Sequence, residues 1–197
     1  MIKETFTKIY TENLWASAES KSGSGSELKN TEVLRQELSV LLKKYKIQSM
    51  LDIPCGDFNW MKFVDLSGIN YVGADIVKEL IEKNSKENPE TKFVEMNLLE
   101  DNIPKFDLIF CRDCLFHFTF DDIKKALRNI KKSESKYILT TSFNWKSNEN
   151  IDIKMGEWRR LNLQLEPINL PSPLDFIVEG SYLDKCLLLY KCDDLMN

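Results

Sequence analysis

Apolar runs alternate with amphipathic stretches along most of the chain. Ser49–Ile53 (SMLDI), Asn70–Asp75 (NYVGAD), Lys92–Met96 (KFVEM), Phe106–Cys111 (FDLIFC) and Lys136–Ser142 (KYILTTS) read as five strands. Between them, Phe58–Leu66 reads as a short helix. Val77–Asn88 reads as an amphipathic helix stopped by Pro89. Asp121–Lys132 reads as a helix with acidic residues at its start and basic ones at its end, as the helix dipole favours. Phe176–Glu179 and Lys185–Lys191 (KCLLLYK) close the pattern as two further strands, and the intervening GSYLD suits a hairpin. Strands alternating with helices predict an α/β fold: a mostly parallel sheet with helices on both faces, ending in an antiparallel pair.

Two segments break the alternation. The first is KSGSGSELKNTEVLRQEL, where Gly and Ser make a loop and Thr31 is placed to cap a helix reaching about Tyr45. The second is Phe143–Pro173, about thirty residues without a strong period. Loops of that length inside a compact domain usually carry function or are disordered, and this one holds Trp145, Trp158, Arg159 and Arg160. Neither an internal repeat nor an interdomain linker is visible. The expected organisation is one domain over 1–197, with an N-terminal helical lid (1–46), a core (47–142), an insertion (143–173) and a C-terminal hairpin (174–197).

Composition changes little in this picture. The 197 residues are 43% hydrophobic and 29% charged, which argues against a disordered chain. A net charge of −4 gives no reason to expect a surface that coats nucleic acid. The start, MIKETFTKIY, holds no apolar run of signal-peptide length, and no stretch approaches the ~20 apolar residues of a membrane span. Five cysteines, an odd number, favour reduced thiols, so a soluble cytoplasmic protein is expected.

The chemistry concentrates in LDIPCGDFNW, where the first strand ends in an acidic, Gly-containing corner. In an open parallel sheet, ligands sit at the carboxyl ends of strands where the strand order reverses. Gly56 lets a ligand approach the backbone, and the helix expected next would present its N-terminal N–H groups. Asp75, nineteen residues after Gly56, ends the second strand and is placed to accept hydrogen bonds from ribose hydroxyls. A pyrophosphate-binding corner has three glycines. This one has a single glycine and two carboxylates, Asp52 and Asp57. They repel a pyrophosphate and suit a ligand carrying an ammonium and a sulfonium, such as S-adenosylmethionine (SAM). Helix capping is the plainer role for both carboxylates.

At these residues the chain resembles the class I SAM-dependent methyltransferases. Their first motif, acidic-x-Gly-x-Gly-x-Gly, falls on Asp52, Pro54, Gly56 and Phe58, so two of its three glycines are missing. The acidic Asp75, the MNLLED turn, FDLIFCRDCLFHF and the terminal hairpin continue the order over about Gln48 to Lys191. More narrowly, ESKSGSGS, DIPCGDFNWM, VGADIV, CRDCLFHF and GEWRRLNL look like a branch of small bacterial methyltransferases. The resemblance implies a Rossmann-like seven-stranded fold and SAM as cofactor. Asp52, Cys55 and Gly56 would border its methionine, Asp75 and Ile76 the ribose and adenine, and Asn97–Leu98 the adenine amine; Pro54 would be a further cofactor contact. Cys111 and Arg112 would flank the methionine tail. Such enzymes often cover SAM with an N-terminal segment, which makes Trp15 a stacking partner or a core plug. Arg35 is a surface ion-pair residue or a contact to the methionine carboxylate.

His117 is the only histidine, six residues beyond the fourth strand. Beside a methyl-donor pocket it reads as a general base or acceptor-orienting group, against the plainer role of a packed wall residue. Asp113 is placed to orient it or to bind an acceptor hydroxyl; a loop carboxylate is the alternative. Cys111 and Cys114 have C-x-x-C spacing, but without a second such pair they read as buried thiols and no metal is expected. In the insertion, Arg159 and Arg160 would clamp an anionic acceptor, and Trp145 and Trp158 would wall an apolar or sugar acceptor. The alternative is an insertion packed on the sheet edge. The expected reaction is methyl transfer to a small molecule, at oxygen and on a sugar-like acceptor by preference. N-methylation or a non-catalytic SAM-binding module are the other readings.

Overall fold

A computed structural model of the chain describes residues 2–144, 149–180 and 184–196. Its strands are β1 (Ser49–Asp52), β2 (Asn70–Asp75), β3 (Lys92–Glu95), β4 (Leu108–Cys111), β5 (Tyr137–Phe143), β6 (Asp175–Val178) and β7 (Lys185–Lys191). They form one seven-stranded sheet in the order β3-β2-β1-β4-β5-β7-β6. The pairs from β3 through β5 are parallel, and β7 runs antiparallel between β5 and β6. The expected strands all form, each within two residues of its predicted ends. Of the expected hairpin turn, 181–183 lie outside the described residues.

The central strands are buried on both faces, so their residues alternate between two apolar clusters. Leu51, Ile109, Ile138 and Leu188 point into one cluster; Met50, Leu108, Leu139 and Leu187 point into the other. Helix α4 (Phe120–Lys132) fills the first through Ile123, Ala126, Leu127 and Ile130, the spacing of one helical face. Thr119 caps it by accepting the Asp122 N–H at 3.2 Å. Helix α2 (Glu32–Lys44) covers the second through Leu34, Leu38, Leu41 and Leu42. Helix α3 (Lys78–Glu87) sends Leu80 and Ile81 into a small third cluster with Cys55. Helix α1 (Ile2–Thr11) lies within the segment 1–46 expected as a helical lid, for which the sequence pattern gives no bounds for this helix.

Three local expectations change. Thr31 precedes α2, but its hydroxyl donates to Glu27 O at 3.1 Å and makes no cap to the helix. Phe58–Leu66 is not a helix: only Met61–Phe63 forms a single 3-10 turn. Phe58, Trp60 and Met61 all bury themselves against the α2 side of the sheet, which an α-helical period would not allow. Beyond Phe143, the last residue of β5, the insertion has no helix or strand among its described residues. It still contributes Leu161, Leu163, Ile168 and Leu170 to the α4-side core.

Candidate active site

The strand order reverses between β1 and β4, and a cleft opens at the carboxyl ends of these strands and β2. Asp52, Ile53, Pro54, Cys55 and Gly56 line it from the first corner, and Asp75 and Ile76 from the end of β2. Asn97 and Leu98 line it from the turn after β3; Arg112, Asp113, Cys114 and His117 line it from the segment after β4. Helix α1 crosses over it with Ile2, Phe6 and Tyr10, and the loop beyond adds Trp15, Lys21 and Ser22.

The corner after β1 is held without a helix N-terminus. Gly56 N–H donates to Asp75 Oδ2 at 3.2 Å, and Val77 N–H donates to Asp75 Oδ1 at 3.0 Å. Asp57 N–H donates to Ser22 Oγ at 2.9 Å, while its carboxylate accepts from Ser20 Oγ at 2.9 Å and Lys21 N–H at 2.8 Å. The Ser20–Ser22 strap is therefore tied down on the corner. Gly56 has φ +56°, and a Cβ there would fall inside the van der Waals surface of Ser22 Oγ. The absent side chain makes room for the strap, where the sequence had suggested room for a ligand.

Two buried carboxylates face the cleft. Burial pushes Asp52 up to about 8, although Tyr71 Oη donates to it at 2.7 Å. Burial pushes Asp75 up to about 6, against three backbone N–H donors that lower it. Neither has a cation of its own at salt-bridge distance among the described residues, because Arg112 is engaged elsewhere. Its guanidinium bonds Glu179 Oε2 at 2.5 Å, lies 3.2 Å from Asp113 Oδ2 and donates to Gly25 O at 2.9 Å. Lys185 Nζ completes this buried group, 2.8 Å from Asp113 and 3.2 Å from Glu179. Burial would raise Asp113, but Arg112 and Lys185 overcome it and hold Asp113 down at about 2. The cleft thus presents two carboxylates whose burial is not fully offset, since Arg112 lowers Asp52 only in part, and a cationic ligand supplies further positive charge. The residues fit SAM on that ground.

His117 sits at the end of a 3-10 turn, Leu115–His117, in the cleft wall. Its Nδ1 lies 2.8 Å from Glu157 O. A carbonyl only accepts, so Nδ1 carries the proton and the neutral ring keeps its lone pair on Nε2. Trp15 stacks on the ring at 5.1 Å and 26°. Burial pushes His117 below its usual 6.5, with the Glu157 carbonyl opposing, so the ring is neutral at pH 7. Asp113 makes no hydrogen bond to it; its oxygens serve Lys185 and Thr141. The orienting group is the Glu157 carbonyl.

Residues 51–133 match the sequence model of a methyltransferase domain. That span runs from β1 through α4 and holds the first corner, Asp75 and His117. Solved structures share its fold. One is a magnesium protoporphyrin IX methyltransferase from Synechocystis PCC 6803 with bound S-adenosylhomocysteine (TM-score 0.60, 13% identity, 83% of this chain and 85% of that one). A second is a 1,6-didemethyltoxoflavin-N1-methyltransferase from Burkholderia thailandensis (TM-score 0.64, 15% identity, 96% and 86%). A third is an S-adenosylmethionine-dependent methyltransferase from Clostridium acetobutylicum (TM-score 0.60, 15% identity, 95% and 98%). At these identities the likeness shows the fold. No curated protein sequence matches the chain.

Several residues assigned to the site from sequence lie elsewhere in the structure. Cys111 is fully buried in the α4-side core and does not line the cleft; beside it, the Cys114 thiol is pushed well above its usual value, chiefly by their mutual hydrogen bond. Arg35 donates to Leu28 O at 3.1 Å and lies against Phe63, away from the cleft. Trp158 is 54% exposed and packs edgewise on Phe116 and Phe143. Arg159 is buried, donating to Phe118 O at 2.7 Å over the Phe120 ring, and Arg160 pairs with Asp184 at 3.0 Å. Trp145 lies outside the described residues. Sequence reasoning missed Phe6 and Tyr10, although Ile2, Phe6 and Tyr10 recur at i, i+4 and i+8. It also missed Lys21 and the pairing of Glu179 with Arg112, for which the sequence carries no local signal. Among the described residues, no helix is long and apolar enough to cross a membrane, and no group of three metal-ligating side chains gathers.

Proposed function

We propose that this protein is a SAM-dependent methyltransferase that methylates a hydroxyl of a small polar molecule, a sugar or sugar-like compound, with His117 as general base. When bound, SAM supplies a methyl on a positively charged sulfur, open to in-line attack. Asp75 holds the ribose hydroxyls, and Ile76 and Leu98 pack beside the adenine. Asp52 and Gly56 lie along the methionine part, with Lys21 as a cation for its carboxylate. Trp15, Phe6 and Tyr10 exclude water from above. His117 Nε2 takes the proton of the attacking hydroxyl, which raises its nucleophilicity as the bond to carbon forms. A cytoplasmic reaction is part of this reading: all five cysteines are free and buried.

The observation that carries the reading is the His117 ring, neutral and buried in the cleft wall with Nδ1 on a carbonyl and Nε2 left to accept a proton. Oxygen acceptors need such a base more than neutral amines do. A panel of sugars, sugar phosphates and amines is incubated with methyl-labelled SAM, and labelled products are identified by mass spectrometry. Methyl ethers from hydroxyl acceptors are expected. Label that accumulates only on amines, at a rate indifferent to His117→Ala, refutes the oxygen assignment.

A further inference from the structure

The insertion grips His117 twice. Gly156 N–H donates to His117 O at 2.8 Å, and the His117 ring donates from Nδ1 to Glu157 O at 2.8 Å. The turn that makes these bonds is closed on itself: Glu157 N–H donates to Lys154 O at 3.1 Å, and Lys154 N–H donates to Glu157 Oε2 at 3.0 Å. Gly156 has φ +89°, and a Cβ there would lie 2.7 Å from Thr5 Cγ2 and 3.4 Å from Ile9 Cδ1. Helix α1, which crosses the cleft, is therefore packed directly on the turn that holds the ring. The ring's surroundings leave little room for a second orientation: Trp15 stacks on it, and Phe116 and Phe6 lie 4.5 and 6.4 Å away.

We propose that the Gly156–Glu157 turn is the positioning element for His117, fixing the ring as the Nδ1–H tautomer and making that state depend on α1 being docked over the cleft. The proposal rests on the reading of His117 as the base. A neutral imidazole in water exchanges between two tautomers, and only one puts its lone pair on Nε2. A carbonyl acceptor at Nδ1 selects that tautomer before any acceptor arrives. Because the glycine is the contact surface for Thr5 and Ile9, lifting α1 loosens the turn, and with it the hold on the ring. The turn is thus a positioning element and does not itself touch the reacting atoms.

The chain's single histidine makes the test direct. Long-range 1H–15N spectra of the protein labelled at histidine report which ring nitrogen is protonated, without any acceptor. The wild type should show one tautomer, protonated at Nδ1, over the pH range where the ring is neutral. Gly156→Ala should give averaged nitrogen shifts and a pKa closer to the usual 6.5, and its turnover should fall by up to about 10²-fold, the scale of a misplaced catalytic group. SAM affinity should hold. Asp113, Arg159 and Lys185 also act on this pKa and are unchanged in the variant. Thr5→Ala in the Gly156→Ala background removes the nearest obstacle and should recover part of the wild-type pattern. A wild-type ring protonated at Nε2 or rapidly averaged overturns the proposal even if Gly156→Ala does not fold; so does a folded Gly156→Ala with an unchanged spectrum. If instead the spectra come out as expected while His117→Ala turns over normally, the base reading fails and the turn's hold on the ring stands.

Discussion

The corner glycine offers a quantitative test. Gly56→Ala places a Cβ at φ +56°, which costs about 1–2 kcal/mol in the left-handed region. The new atom also collides with Ser22 Oγ and lies 3.0 Å from Ser22 Cβ. Ser22 must withdraw, and the 2.9 Å bond it accepts from Asp57 N–H is lost. A hydrogen bond of this kind contributes about 0.5–1.5 kcal/mol net. The destabilisation should therefore be roughly 1.5–3.5 kcal/mol in an otherwise wild-type chain. In a Ser22→Gly background both obstacles and the hydrogen bond are already gone, so only the backbone strain remains. The double-mutant cycle should show a coupling of about 0.5–1.5 kcal/mol, within the usual range for residues in contact.

Urea denaturation of the four proteins measures this, with slopes checked for constancy so that midpoints report stability. SAM titration calorimetry on the same four separates the two roles of the corner. If Gly56 serves the strap, Ser22→Gly recovers SAM binding lost in Gly56→Ala. If the alanine costs the same stability in both backgrounds, the strap argument is refuted. If SAM affinity falls equally in both, Gly56 meets the ligand directly, as the sequence alone had suggested.

Further outcomes follow from the charges. Asp52, raised from 3.8 to about 8, stabilises the free fold fully below pH ~3.8 and loses that contribution as pH rises to about 8. Asp52→Asn removes this titration while leaving Tyr71 an acceptor, so thermal unfolding should show the variant gaining stability over wild type as pH climbs through that window. A gap that stays constant with pH would count against the shift. SAM affinity of the wild type should rise over the same interval, because the ionised carboxylate attracts the cation. His117→Ala should leave SAM binding nearly intact and lower single-turnover rates by roughly 10²–10⁴. With His117 pushed below 6.5, wild-type turnover should be flat at neutral pH and fall on the acid side; the same acid limb in the variant would return the ring to a packing role. Glu179→Gln leaves Arg112 and Lys185 with half their counter-charge and should destabilise by about 3–5 kcal/mol, read as a drop in melting temperature. A shift within the range of a surface substitution would show that water already reaches the cluster.

The sheet was legible because each central strand is a short apolar run and each helix carries a one-faced stripe, both set by local sequence. The acidic end of β2 was legible for a similar reason: Asp75 stands at a fixed spacing from a corner that backbone geometry constrains. Phe58–Leu66 misled because Phe58, Met61 and Val64 stand three apart and mimic a helical face, while Trp60 buries out of that period and Phe63 is exposed. Cys111 and Arg159 misled in another way. Sequence placed them near the cleft, and the side chains then turned into the core, which alternation along β4 decides for Cys111. Arg112 held its place, but its partner Glu179 lies 67 positions away, and no local pattern announces that pairing.

The charge arrangement explains why the cleft favours a cation without being an open acidic patch. Arg112, Lys185, Asp113 and Glu179 neutralise one another in a buried group at the ends of β4 and β7, so that group adds no net charge to the cleft. It does add rigidity, since Arg112 also reaches Gly25 O in the loop that follows the Ser20–Ser22 strap. Asp52, which Arg112 offsets only in part, and Asp75 remain, and burial lets them stay partly protonated while the cleft is empty. A cation entering the cleft drives both toward their ionised forms and releases protons. Calorimetry in buffers of different ionisation enthalpy should therefore detect proton release on SAM binding at pH 7, and Asp52→Asn should diminish it. Binding that is indifferent to buffer would mean that both carboxylates are already ionised in the free protein, and that the cleft's preference for a cation has another source.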